Sequence, residues 1–142
     1  MDVLTKKQRS YCMSQIKGKD TKAELVFRKY IWSKGTRGYR THSKIAGKPD
    51  LYFPKKKIAI FIDGCFWHKC PKCFIAPKSN KIFWMNKING NIRRDRKVNK
   101  LLEKDGIRVI RFWEHEIREN LEECYNKVRN ELMLEWLIEQ RA

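Results

Sequence analysis

Three cysteines within nine residues, Cys65-x4-Cys70-x2-Cys73, supply soft ligands at a spacing that suits a metal ion. A structural zinc needs a tetrahedral fourth ligand from Cys or His. His115 follows the last strand pattern and could return beside Gly64, whereas His68 lies inside the cluster and His42 belongs to another strand. Packed, reduced core cysteines are the alternative, but Lys69 and Lys72 among them make that poor core material. Asp50 and Asp63 form a second candidate group. Acids repel a polyanionic partner, and they make sense holding a divalent cation that bridges carboxylate and phosphate. Ordinary strand-end aspartates paired with Lys or Arg fit the spacing equally well. Glu24 reads as the capping-box partner of Thr21 before it reads as an acid near such a cation.

The partner is a polyanion by charge. The 142 residues carry 33 Lys and Arg against 16 Asp and Glu, a net +17, more than solubility requires. Nucleic acid is the first expectation, because each phosphate neutralised releases condensed counterions; an anionic membrane surface is a distant one. The longest apolar run, Ile58 to Ile62, is too short to cross a bilayer, and no apolar stretch after Met1 makes a secretory signal. A soluble, intracellular protein is expected. The odd, clustered cysteines argue against a disulfide framework, which leaves Cys12 and Cys124 as core or near-core thiols.

The elements that must position these residues follow from periodicity. Residues 1–19 read as a basic arm, and 20–142 as one domain. Asp20 or Thr21 opens a helix with Ala23, Val26, Phe27, Tyr30 and Ile31 on one face, ended by Gly35 and Gly38. A short strand is expected over Tyr39–His42, then a hairpin of Pro49–Phe53 and Ile58–Asp63. A period of two puts Asp50 and Tyr52 on one face, and Phe61 and Asp63 on one face. If the faces coincide, two carboxylates converge. Ile82–Glu103 is helical, with Trp84, Ile88 and Ile92 on one side and Lys87, Arg93, Arg94, Arg96, Lys97 and Lys100 on the other. Six cations in fourteen residues suit a phosphate track. Ile107–Trp113 is a strand, and the remainder is helical with Leu121, Cys124, Val128, Leu132 and Trp136 toward the core. The class is α/β: a small mixed β-sheet flanked by helices.

The run Asp63-Gly64-Cys65-Phe66-Trp67-His68 resembles the very-short-patch repair (Vsr) mismatch endonuclease family, together with Ile16-Lys17-Gly18-Lys19-Asp20-Thr21, Gly47-Lys48-Pro49-Asp50, Phe83-Trp84, Arg94-Asp95 and Val109-Ile110-Arg111-Phe112-Trp113-Glu114. The resemblance implies a restriction-endonuclease-like fold and a nick in one strand of double-stranded DNA, beside the thymine of a T·G mismatch left by deaminated 5-methylcytosine. It implies Asp50 and the Ile62 carbonyl as ligands of a catalytic Mg2+, with Asp63, His68 and Glu24 in the active site. His68, oriented by Asp63 or Glu24, would serve as general base. Structural Zn2+ would fall on Cys65, Cys70, Cys73 and His115. Phe66, Trp67 and Trp84 would enter the duplex, with Lys87, Arg93, Arg94, Arg96 and Lys97 on the DNA. A monomer in a bacterial-type cytoplasm at the nucleoid, with mismatch-repair proteins as partners and no membrane, completes the expectation. The alternatives are a zinc-stabilised DNA-binding module without cleavage, and a related nuclease of restriction or defence type.

Overall fold

The computed structural model describes residues 6–7 and 21–141, with side chains through residue 134. The basic arm expected over 1–19 and the core role of Trp136 fall outside what is described, apart from Lys6 and Lys7. Helix α1 spans Lys22–Ser33, where Thr21 is extended and its hydroxyl accepts from the Glu24 N–H at 3.3 Å. Ala23, Phe27 and Ile31 recur every fourth residue and are buried. Val26, expected on that face, is 39% exposed, and Glu24 is 2% exposed in its place. The 3.6-residue period explains it: Glu24 lies one helical turn before Phe27 and two before Ile31.

Strands β1 (Leu51–Phe53) and β2 (Ile58–Asp63) form the expected hairpin, with Leu51 opposite Ile60. The strand expected over Tyr39–His42 is only a bridge, in which Arg40 exchanges backbone bonds with Tyr52. His42 has φ 57, which turns the chain out of extended geometry at that point. Helix α2 (Lys81–Lys104) ends before Gly106, at φ +77, and leads into β3 (Arg108–Trp113). β3 lies parallel to β2, with Phe61 beside Arg111 and Asp63 beside Trp113. Two helices follow, α3 (Glu114–Glu119) and α4 (Leu121–Arg141), divided at Asn120.

The result is a mixed three-stranded sheet in the order β1-β2-β3, with helices on both faces. On one face Leu51, Phe53, Ile58, Ile60, Ile110 and Phe112 pack with α1, α3 and α4. Cys124 and Val128 belong to that core, and Leu121 and Leu132 pack at its margin, as their spacing predicts. On the other face Ala59 and Phe61 meet Leu102 and Val98 of α2. Each large aliphatic side chain removed from water contributes about 1.5–3 kcal/mol.

Gly47 fixes the loop that enters β1. It has φ +76, and a Cβ there would run into Val98 Cγ1. Gly47→Ala is therefore expected to cost about 1–3 kcal/mol, from backbone strain and overpacking together. Urea unfolding checks this, and Val98→Ala in the same chain should restore part of the loss.

Candidate active site and metal centre

Asp63 ends β2 and is 7% exposed. Asp50 approaches the same end from the neighbouring loop, where its Oδ2 accepts from the Ile62 N–H at 2.6 Å. The register pairs Leu51 with Ile60, so Asp50 faces Phe61 and shares its side of the sheet with Asp63, as the alternation predicts. Glu24 of α1 is buried against Asp50. Its Oε2 has no hydrogen-bond partner among the described residues, and Arg28 stands 4.0 Å from Oε1. Glu24 thus does more than cap its helix: the Thr21 hydroxyl meets its backbone, while its carboxyl turns to the cleft. Burial pushes the Asp50 carboxyl up to about 7, against the Ile62 N–H, and the charge and hydrogen bond of Glu24 add to the rise. Both acids line a cleft of about 350 Å³ with His42, Lys44 and Lys48 at its wall.

His68 stands beside Asp63. A tight turn, with His68 N–H bonded to Gly64 O at 3.1 Å and Cys70 N–H to Cys65 O at 2.8 Å, brings the ring back over the strand end. Asn91 of α2 donates to Trp67 O at 3.0 Å and secures that turn. His68 Nδ1 lies 2.5 Å from Asp95 Oδ2 and 3.9 Å from Asp63 Oδ1. An ionised aspartate only accepts, so Nδ1 carries the proton and Nε2 is left to accept another. Burial pulls the His68 pKa down, but the Asp95 hydrogen bond and the Asp63 charge outweigh it and leave it raised. Asp63 is raised by burial, against the opposing charges of Arg111 and His68.

The candidate acids therefore form two adjoining groups: Glu24 with Asp50, and Asp63 with His68. Of the acids expected beside His68, Asp63 stands 3.9 Å away, and the hydrogen-bond partner of His68 is Asp95. Sequence reasoning assigned no role to Asp95, Asn91 or Arg111. The signal for Asp95 was present, as a lone acid within the cationic run Arg93 to Lys97.

Cys65, Cys70, Cys73 and His115 converge, with ligand atoms all within 4.8 Å of one another. The three sulfurs lie 3.4, 3.5 and 3.3 Å from His115 Nδ1. A tetrahedral zinc with ordinary bond lengths separates its sulfur and nitrogen ligands by about 3.6 Å. The set can hold a metal ion without rearrangement. Beside it, Phe66, Trp67 and Trp84 meet with ring centres 5.2 to 5.8 Å apart, and Lys87 Nζ lies 5.3 Å from the Trp67 ring. Ile82 and Phe83 leave an apolar rim that is 79% and 59% exposed. Lys87, Arg93, Arg94, Arg96, Lys97 and Lys100 are all exposed along α2.

A basic protein with acids and a histidine at the end of a mixed sheet is equipped to cleave DNA, and the comparisons with known proteins define that class as DNA endonucleases. The family model of the DNA mismatch endonuclease Vsr matches residues 1–73. A type II nicking enzyme of Neisseria meningitidis serogroup C is 44% identical over 91% of this chain and 88% of its own. One of Haemophilus parainfluenzae is 46% identical over 86% and 89%. The DNA mismatch endonuclease Vsr of Escherichia coli K12 is 30% identical over 99% and 90%. The chain belongs to the Vsr endonuclease family.

The cysteine site generates a direct test. Cys70→Ser and Cys73→Ser should lose bound zinc, measured by elemental analysis of purified protein, and should unfold or aggregate, because structural zinc contributes folding free energy outright. His115→Cys should keep the metal and His115→Ala should weaken it. Full thermal stability of a metal-free preparation would remove the structural role.

Proposed function

We propose that this endonuclease nicks one strand of double-stranded DNA beside the thymine of a T·G mismatch and so starts very-short-patch repair. The observation that carries the reading is the convergence of Glu24, Asp50, Asp63 and His68 at the end of β2. Mismatch choice is supported by the printed name of the Escherichia coli relative and by the partly exposed aromatic group Phe66, Trp67 and Trp84. Such wedges open base steps. The hairpin, the parallel strand and the flanking helices suit a restriction-endonuclease-like core, carried by one domain over 20–142 with a basic arm at 1–19.

A divalent cation fits beside Asp50. Glu24 Oε2 is buried with no hydrogen-bond partner among the described residues, Asp50 holds a proton up to about 7, and the donors are hard oxygens. The Ile62 N–H points to Asp50, and in an extended strand the carbonyl of the same residue points to the same edge. Asp50 and the Ile62 carbonyl are thus the assigned ligands, with Glu24 beside them. Asp50 and the Ile62 carbonyl would hold magnesium there, and the chemistry it would supply is charge stabilisation at the scissile phosphate and the leaving oxygen. His68 Nε2 takes the proton of the attacking water, while Asp95 and Asp63 hold the ring and its tautomer. Zinc on Cys65, Cys70, Cys73 and His115 does no chemistry; it pins the loop that carries Phe66, Trp67 and His68. Lys87, Arg93, Arg94, Arg96 and Lys97 hold phosphates. The protein acts as a monomer at the bacterial nucleoid, with mismatch-repair proteins as further partners.

A second reading keeps the nick but not the mismatch: the relatives at 44% and 46% identity are named type II nicking enzymes. Nicking of matched and T·G duplexes, with the cut mapped, separates the two. No helix among the described residues is long and apolar enough to cross a membrane.

Two outcomes test the assignment. Asp50→Asn should fold, keep its zinc and bind T·G duplex at least as well as the parent, while nicking falls by orders of magnitude. In metal-free buffer it should also gain stability over the parent as pH rises. A carboxyl raised from 3.8 to about 7 stabilises the fold fully below 3.8 and loses that contribution through about 7. Parental nicking by Asp50→Asn would displace the metal assignment. Separately, Arg93→Glu with Lys97→Glu should weaken binding to all sequences alike and flatten the salt slope by ~1 to 2. Trp67→Ala should spare general binding and cost discrimination.

A further inference from the structure

A buried guanidinium is costly unless protein groups pair it. Arg111 lies within β3 beside Phe61, and its side chain is 19% exposed. Its Nη1 stands 3.0 and 3.2 Å from the two Asp63 oxygens and 3.7 Å from Asp95 Oδ1. Nε donates to Asn99 Oδ1 at 2.9 Å, and the guanidinium carbon lies 4.1 Å from the Phe61 ring centre. Asp95 and Asn99 are one turn apart on α2, so one side chain joins β2, β3 and α2 around the strand end. The other Asp95 oxygen meets His68 Nδ1.

We propose that Arg111 is a positioning residue for strand cleavage: by holding Asp63 and Asp95 together it fixes the His68 ring over the strand end. The inference rests on the proposed role of His68 in the reaction. Asp63 and Asp95 are like charges on separate elements, and without a cation between them they repel. Asp95 then withdraws toward solvent on α2 and takes its hold on the imidazole with it. A lysine reaches Asp63 with one ammonium, but it lacks the planar fork that spans Asp63, Asp95 and Asn99 at once.

The test is single-turnover nicking in magnesium, on the duplex that the parent nicks, with duplex affinity and bound zinc measured alongside. Arg111→Met fills the space over Phe61 without charge. Its rate in the bound complex should fall ~10²-fold, the scale of a small misplacement of a reacting group, with affinity and zinc unchanged. Asp95→Asn should add little to that loss, because both act through one ring. Arg111→Lys should recover part of the rate. Parental nicking by Arg111→Met overturns the inference, as does weaker DNA binding with an unchanged bound rate, or losses that multiply in the double variant. Where Arg111→Met does not fold, Arg111→Lys decides: the parental rate overturns the inference, and a slower rate at unchanged affinity supports it. His68→Ala separates the two levels. If it nicks like the parent, the reading of the site falls and this inference with it. If it fails to nick while Arg111→Met nicks normally, this inference falls alone.

Discussion

Strand β2 is bonded along both edges and buried on both faces, and this double constraint sets the position of everything functional. Ile58 and Ile60 face one core and Ala59 and Phe61 the other. A slip of one residue would exchange those sets and break two ladders at once. The chain can leave such a strand only at its end, and it does so through Asp63, Gly64 and Cys65. Each candidate group is tied to that exit by a separate bond. Ile62 N–H holds Asp50, Arg111 reaches Asp63 from the adjacent strand, and the pairing of Asp63 with Trp113 sets His115 two residues beyond.

The charges divide unevenly around that exit. Four acids, Glu24, Asp50, Asp63 and Asp95, gather in a chain of net charge +17. Arg111 answers Asp63 and Asp95 from within the protein. Among the described residues, Asp50 accepts from the Ile62 N–H, Arg28 stands 4.0 Å from Glu24, and Asp50 holds a proton up to about 7 with Glu24 beside it. In the proposed reaction the divalent cation belongs on the Asp50 side, away from His68. That separation suits the proposed roles, because a group that accepts a proton should not sit as a ligand on the ion that activates the phosphate.

The elements were legible where periodicity and punctuation agreed. The hairpin, the long basic helix and the last strand all follow from alternation or a 3.6-residue repeat. The strand over Tyr39–His42 failed because one residue at positive φ, His42, overrides a local β pattern that only a second full partner could have held. In the site, the cysteines and His115 could be matched by ligand chemistry, and Asp50 and Asp63 by strand parity. From spacing alone Glu24 reads as the capping-box partner of Thr21, because its burial is a tertiary fact; only the family resemblance placed it among the acids of the site. Asp95 and Arg111 were invisible as partners. They are 16 residues apart on different elements, and no local rule connects an acid on a basic helix with a cation inside a strand.

The acids and the aromatic group sit on different supports. The acids and Arg111 are anchored to the sheet and to the flanks of α1 and α2, where both cores fix them. The aromatic group is anchored instead to the cysteine loop and to the first turns of α2, with Ile82 and Phe83 facing solvent. A scissile phosphate is the same in every sequence, so contacts to it position the strand without reading it. Discrimination has to come from groups that reach the bases. Those groups can change in size and shape on the loop and the helix start without disturbing β2. The restraint is His68, which shares the cysteine loop with Phe66 and Trp67 and is held to α2 through Asp95. A shift of that loop which moves Phe66 or Trp67 must therefore pull on the His68 ring and its hold on Asp95, so the aromatic group and the histidine beside Asp63 are mechanically coupled.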